Sequence, residues 1–216
     1  MRRLIYSAVA AALFAPWSGS PATVPVLHAE GVVHGFLSLA TLDGRHLADG
    51  DLVQTADKSE VTSRLVFRFA DGSLNDETTV FTERGRFRLV RDHLVQHGPS
   101  FPQPVDLSID AASGHVTVHY GDPRGRERTV EDHLTMPDDL ANGMVLTLLK
   151  NLAPGAQATT VSLVAVTPKP RLVTLTLTPA GSERFSTGAA VRRVREFSVH
   201  VHIGGLAGLL APLVGT

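Results

Sequence analysis

The stretch Val61-Thr62-Ser63-Arg64-Leu65-Val66-Phe67-Arg68-Phe69, followed at once by Ala70-Asp71-Gly72, decides the fold class. On an extended chain Val61, Ser63, Leu65, Phe67 and Phe69 share one face, while Thr62, Arg64 and Arg68 share the other. That period of two belongs to a half-buried strand. Asp71-Gly72 supplies the positive φ angles of a tight hairpin turn, so the strand doubles back. Working outward, the pattern recurs. A strand is expected near Asp76 to Thr82, turned at Arg84-Gly85, and Phe87, Leu89, Arg91, His93 and Val95 carry the alternation along the next. Val105, Leu107 and Ile109 precede the turn Ala112-Ser113-Gly114. Val116, Val118 and Tyr120 precede the turn Gly121 to Gly125, and a strand follows from Arg126 to about Leu134. Gln157 to Val166 and Leu172 to Thr178 flank Pro168-Lys169-Pro170, where a missing backbone donor does no harm. His28 to Thr41 reads as the first strand and Ala190 to Ile203 as the last. The sum is a meander of consecutive hairpins.

One segment departs from the period of two. Leu140, Met144, Leu148 and Leu152 recur every fourth residue with Val145 and Leu149 beside them, which predicts a helix over Pro137 to Leu152. Pro137 suits its first turn, Asp138 and Asp139 suit the positive end of its dipole, and Pro154-Gly155 stop it. Asn142-Gly143 is discordant. Either the regular helix begins only at Met144, or the backbone packs closely against something there. Roughly ten strands and one helix do not make a flat sheet. The expected fold is all-β with one helix, an antiparallel meander forming a barrel or curved half-barrel, with the helix closing one mouth or lying in the concave face.

The 216 residues suffice for one domain with a real core. No linker or repeat divides them, so residues 23–216 are read as a single domain. With 43% hydrophobic and 19% charged residues the chain is globular, and a formal charge of −1 provides no strong field toward nucleic acid. Arg2 and Arg3, the apolar run Leu4 to Ala15, the break at Pro16 to Gly19 and the small residues Ser20 and Ala22 read as a signal peptide over residues 1–22. Ala29 is a second cleavage candidate, and a membrane anchor is the alternative; a spanning helix needs roughly 20 apolar residues. There is no cysteine, so neither disulfides nor a cysteine-linked lipid anchor can form. The core alone must stabilise an exported domain, which suits a bacterial periplasm or cell exterior. The tail Gly204 to Val214 is apolar and glycine-rich. It reads either as a segment that leads into further strands or as a hydrophobic tail folded on the domain.

The block Glu131-Asp132-His133-Leu134-Thr135-Met136-Pro137-Asp138-Asp139-Leu140-Ala141-Asn142-Gly143, set between a β-meander and an apolar helix, resembles exported bacterial proteins of the DUF3108 group, a domain of unknown function. The resemblance spans about half of the expected mature chain and rests chiefly on Pro137-Asp138-Asp139-Leu140 with Asn142-Gly143. It implies an all-β, barrel-like periplasmic fold, a chain that continues after Ile203, and no particular reaction.

Chemistry-bearing residues give weaker signals. Among ten histidines, His200 and His202 share a strand face, as do His115 and His119. Either pair is compatible with zinc or copper given a third ligand, or with ordinary solvated strand faces. Ser73, Ser113 and Ser182 sit beside glycines in expected hairpin turns, with His93 or His133 as conceivable bases, but no Gly-x-Ser-x-Gly is present. Glu131 and Asp132 point to opposite faces of a strand and cannot share a proton. Arg192, Arg193 and Arg195 have only Phe197 nearby and read as a solvated face, so no nucleic-acid partner is expected. No catalytic residue, metal ligand or cofactor is assigned. The helix offers more: it either packs wholly into the core or, with Leu65, Phe67, Phe69, Phe81, Met144, Leu148 and Leu149, lines a cavity for an acyl chain or other apolar ligand. Three readings follow. The first is a non-enzymatic binding or carrier module for a lipid or apolar envelope component. The second is a structural or interaction protein of the periplasm, and the third is a metal-dependent or serine hydrolase.

Overall fold

Eight strands pair consecutively, each antiparallel to the one before. They are β1 (Val33–Ala40), β2 (His46–Asp57), β3 (Glu60–Phe69), β4 (Leu74–Arg84), β5 (Arg86–His97), β6 (Val105–Asp110), β7 (His115–Gly121) and β8 (Glu127–His133). The single helix among the described residues, α1 (Val145–Asn151), follows, and then β9 (Thr159–Thr167), β10 (Lys169–Thr187) and β11 (Ala190–His202) form a second sheet in the order β11-β10-β9. The computed structural model describes residues 23–121, 126–167, 169–187 and 190–203. The expected signal peptide, most of the turn after Gly121 and the apolar tail after Ile203 lie outside the described residues.

The fold is mainly antiparallel β with one helix, as the alternation implies. The meander is a curved open sheet; β1 and β8 are its two edges and do not pair, so a closed barrel does not form. Its inner face is covered by the segment 139–152 and by the second sheet. Phe81, Val61, Ile109, Val116 and Val118 of the meander meet Leu140, Met144 and Leu148, and then Val161, Val164, Leu175 and Leu177 of β9 and β10, in one apolar cluster. Phe81 and Phe87 meet edge to face at 6.0 Å, a favourable aromatic geometry.

Three expectations are corrected. The helix is half the length predicted. From Pro137 to Met144 the chain forms turns instead, because a bridge to β9 competes for it. Ala141 N–H donates to Ser162 O (2.8 Å), Ser162 N–H donates to Asp139 O (3.2 Å), and the Asn142 side chain pairs with the Val164 backbone in both directions at 3.0 and 2.8 Å. Asp138 and Asp139 are therefore not at a helix start: Asp138 pairs with Arg88, and Asp139 is buried. Second, β2 is a strand that the alternation does not reveal. Its inward positions are Ala48, Gly50, Leu52, Gln54 and Ala56, too small or polar to show a pattern. Gly50 is required, since a Cβ there would lie 2.6 Å from the Phe67 ring. Third, Ser182 is not in a hairpin turn but within β10, which runs through a bulge at Pro179 to Gly181.

Ahead of β1, residues 24–30 form a strap rather than strand. Val24 is in the core, Pro25 bridges Arg86, and Val26 N–H donates to Gly85 O. The Leu27 and His28 amides donate to Asn151 Oδ1 at 2.9 and 2.7 Å. Glu30, whose side chain is 5% exposed, accepts from Lys150 Nζ (2.6 Å) and Gln54 Nε2 (2.7 Å).

Candidate functional site

The strand registers align the inner face of the meander in rows. One row runs Val33, Gln54, Ser63, Thr79, Asp92, Ile109, Val116; the next runs Gly35, Leu52, Leu65, Glu77, Leu94, Leu107, Val118. A sheet face packed on a core is expected to be apolar, yet four neighbouring positions of the first row are polar. Gln54, Ser63, Thr79 and Asp92 are all buried. Glu77 stands diagonal to Asp92, between Leu65 and Leu94.

Asp92 reaches this face because of a β-bulge. Val80 pairs with Arg91 but Phe81 pairs with Leu89, leaving Val90 as an extra residue on β5. The bulge reverses side-chain parity. Phe87 and Leu89 point inward before it, and Asp92, Leu94 and Gln96 after it. The uniform face read from the sequence through Phe87, Leu89, Arg91, His93 and Val95 is thus split, with Arg91, His93 and Val95 outside. His93 bonds Asp106 there at 2.9 Å.

The carboxyl pair is covered by the turn that precedes α1. Gly143 has φ +63°, and a Cβ on it would fall 1.6 Å from Thr79 Oγ1 and 2.8 Å from Asp92 Oδ1. The backbone does pack closely at Asn142-Gly143, and only glycine permits that approach. Thr79 Oγ1 donates to Asp92 Oδ1 at 2.7 Å, while Asp92 Oδ2, also buried, has no hydrogen-bond partner among the described residues. Burial is the main cause that pushes Glu77 up to about 8; the Asp92 charge adds to it, and the Gly143 N–H works the other way. Burial also raises Asp92, to about 6, against the Thr79 hydroxyl and the His93 charge. Both carboxyls are raised because burial penalises their charged forms, and Glu77 also because ionising both would place like charges close together.

Next to this pair lies a groove of about 540 Å³. Leu37, Leu52, Leu65, Leu146, Leu149 and Phe197 supply apolar wall, Gln54, Ser63, Gly143 and Thr147 polar floor, and Lys150 and Arg195 positive charge. Arg195 donates to the carbonyls of Leu152 (2.6 Å) and Lys150 (2.8 Å), tying β11 to the end of α1, and stacks on Phe197 at 5.4 Å.

The seven residues suggested for an apolar cavity separate into three sets. Leu65 and Leu149 line the groove. Phe81, Met144 and Leu148 are 0–3% exposed in the packed core and do not line the groove. Phe67 lies over Gly50, and Phe69 meets Phe101 edge to face at 5.4 Å. Of the histidines, His200 and His202 do share a face of β11, bonded to Ser198 and Thr176, and His115 stacks against His133 at 5.0 Å. Among the described residues no three metal-ligating side chains converge. Glu77 and Asp92 escape sequence reading; the one visible signal is the discordant Asn142-Gly143. No family model matches the chain, and no curated protein or solved structure matches it.

Proposed function

We propose that the protein is a non-enzymatic binding or carrier module that holds a lipid or other apolar component of the bacterial envelope in the groove between β1–β3, α1 and β11. The groove carries this reading: at about 540 Å³, with mostly apolar walls and a few placed polar groups, it has the size and chemistry of small-molecule sites. Arg195, whose partners among the described residues are backbone carbonyls and the Phe197 ring, leaves a positive charge for the head of an anionic amphiphile. The signal-like N-terminus and the resemblance to exported DUF3108 proteins support a module that works outside the cytoplasm. No helix of the described residues is long and apolar enough to cross a membrane. Asp92, 2% exposed beneath Gly143, is out of a substrate's reach, which does not favour paired acid–base catalysis here.

Native mass spectrometry of protein purified from its own envelope tests the reading, with co-purified amphiphile as the expected result. Leu65→Ala and Leu149→Ala should weaken uptake of the neutral dye N-phenyl-1-naphthylamine. If the parent carries no ligand and takes up no dye, the structural or interaction reading replaces this one.

A further inference from the structure

We propose that Glu77 and Asp92 form a proton-binding site whose cover is the Asn142-Gly143 turn, so that ligand exchange in the groove is coupled to proton binding. The coupling to ligand rests on the carrier reading above; the proton site and its cover do not. Three observations carry it. The bulge at Val90 aims Asp92 at the inner face, where its Oδ2 is buried without a partner among the described residues. Gly143 is seated within van der Waals contact of Thr79 and Asp92, with no room for a methyl group. The same Gly143, with Leu146 and Thr147 after it, lines the groove. One short segment therefore covers the carboxyls on one side and walls the ligand space on the other.

Most of the charged groups near the pair make their hydrogen bonds to other groups. Lys150 of α1 is tied to Glu30, Arg195 of β11 to helix carbonyls, and Asp138 of the covering segment to Arg88. His93 points to the outer face. Asp139 is buried in the covering segment, and Arg171 lies on the Val173 and Leu175 face of β10. Around the pair itself β3 presents Ser63 and Leu65, and β6 presents Leu107 and Ile109. With protons bound, the pair is neutral and the turn stays seated. Loss of the protons leaves like charges that only water can relieve, and water reaches them when the turn lifts. Protonation thus holds the groove wall in place, and deprotonation loosens it.

The test uses the full folded chain and its Glu77→Gln/Asp92→Asn variant. Carbon-13 NMR should show both carboxyls titrating above the ordinary range of their residue types. The amide signals of residues 142–149 should move with the same midpoints in the parent and stay still in the variant. Stopped-flow release of N-phenyl-1-naphthylamine should quicken about tenfold from pH 5.5 to pH 9 in the parent, as follows when the seated turn binds a proton about ten times more tightly than the lifted one. In the variant release should be flat with pH. Ordinary carboxyl titration, or loop signals indifferent to it, overturns the proton site. Release that changes with pH equally in both proteins overturns the coupling. If the dye binds at no pH, the carrier reading and with it the coupling to ligand fail, while NMR alone decides the proton site. Should the double variant not fold, Glu77→Gln is compared in its place, with a single remaining titration expected at Asp92.

Discussion

A methyl group at position 143 would collide with Thr79 Oγ1 and crowd Asp92 on a backbone of φ +63°. Gly143→Ala is expected to cost on the order of 3 kcal/mol, from left-handed strain plus overpacking, as read by urea unfolding. A cost below about 1 kcal/mol would mean that the turn is not seated on the carboxyls. Glu77 gives a pH dependence with a definite sign. Its carboxyl keeps a proton in the fold up to about 8, whereas the unfolded chain loses it near the ordinary value. Between those points the native state binds more protons, so this contribution to stability is present in acid and is lost as pH rises through about 8. Glu77→Gln should therefore gain stability relative to the parent between about pH 5 and pH 9, in paired thermal melts; a constant difference across that range would contradict the raised carboxyl. Asn142-Gly143 is readable in sequence as a discordant spot, but Glu77 is not readable as a site. Glu77 lies in a strand with Asp76 beside it, and nothing in the chain says which of the two is turned inward.

The hairpins are legible as elements because their turns use Asp71-Gly72, Gly85 and Gly114 between alternating runs, and here local chemistry and final structure agree. Elements that depend on a distant partner are not legible. β2 hides its inward face in Gly50 because the Phe67 ring occupies that space. β5 changes parity at a bulge that no residue type announces. The helix loses its first two turns because Asn142 is engaged by β9, more than 20 residues further along. That engagement sets a prediction. Asn142→Ala removes one donor and one acceptor from buried backbone groups of Val164, so a loss of about 2–6 kcal/mol is expected, given roughly 1–3 kcal/mol for each buried group left unpaired. Asn142→Asp, which keeps the acceptor but not the donor, should fall between alanine and the parent in the same unfolding measurement.

At the scale of the molecule, the core and the groove divide the apolar residues that the sequence pools together. Met144→Ala and Leu148→Ala should each cost core energies of about 2–5 kcal/mol, with both side chains 3% exposed or less. Leu65→Ala and Leu149→Ala, facing the groove, should cost less; equal losses at all four positions would leave no distinction between wall and core. The overall class follows from alternation alone, but the cover of one sheet by another does not, since pairing patterns do not say which faces meet. The strap of residues 24–30 has a consequence of its own. Its anchor, Asn151, lies 124 positions after Leu27, while every strand of the meander pairs with its immediate neighbour. As the chain is synthesised, hairpins can therefore assemble in order from β1 onward, and Pro25 and Val26 can meet Arg86 and Gly85 once the β4–β5 turn exists, but Leu27 and His28 gain their partner Asn151 only with α1. The strap of residues 24–30 is thus completed late in folding. Until then the backbone amides of Leu27 and His28 are left to water.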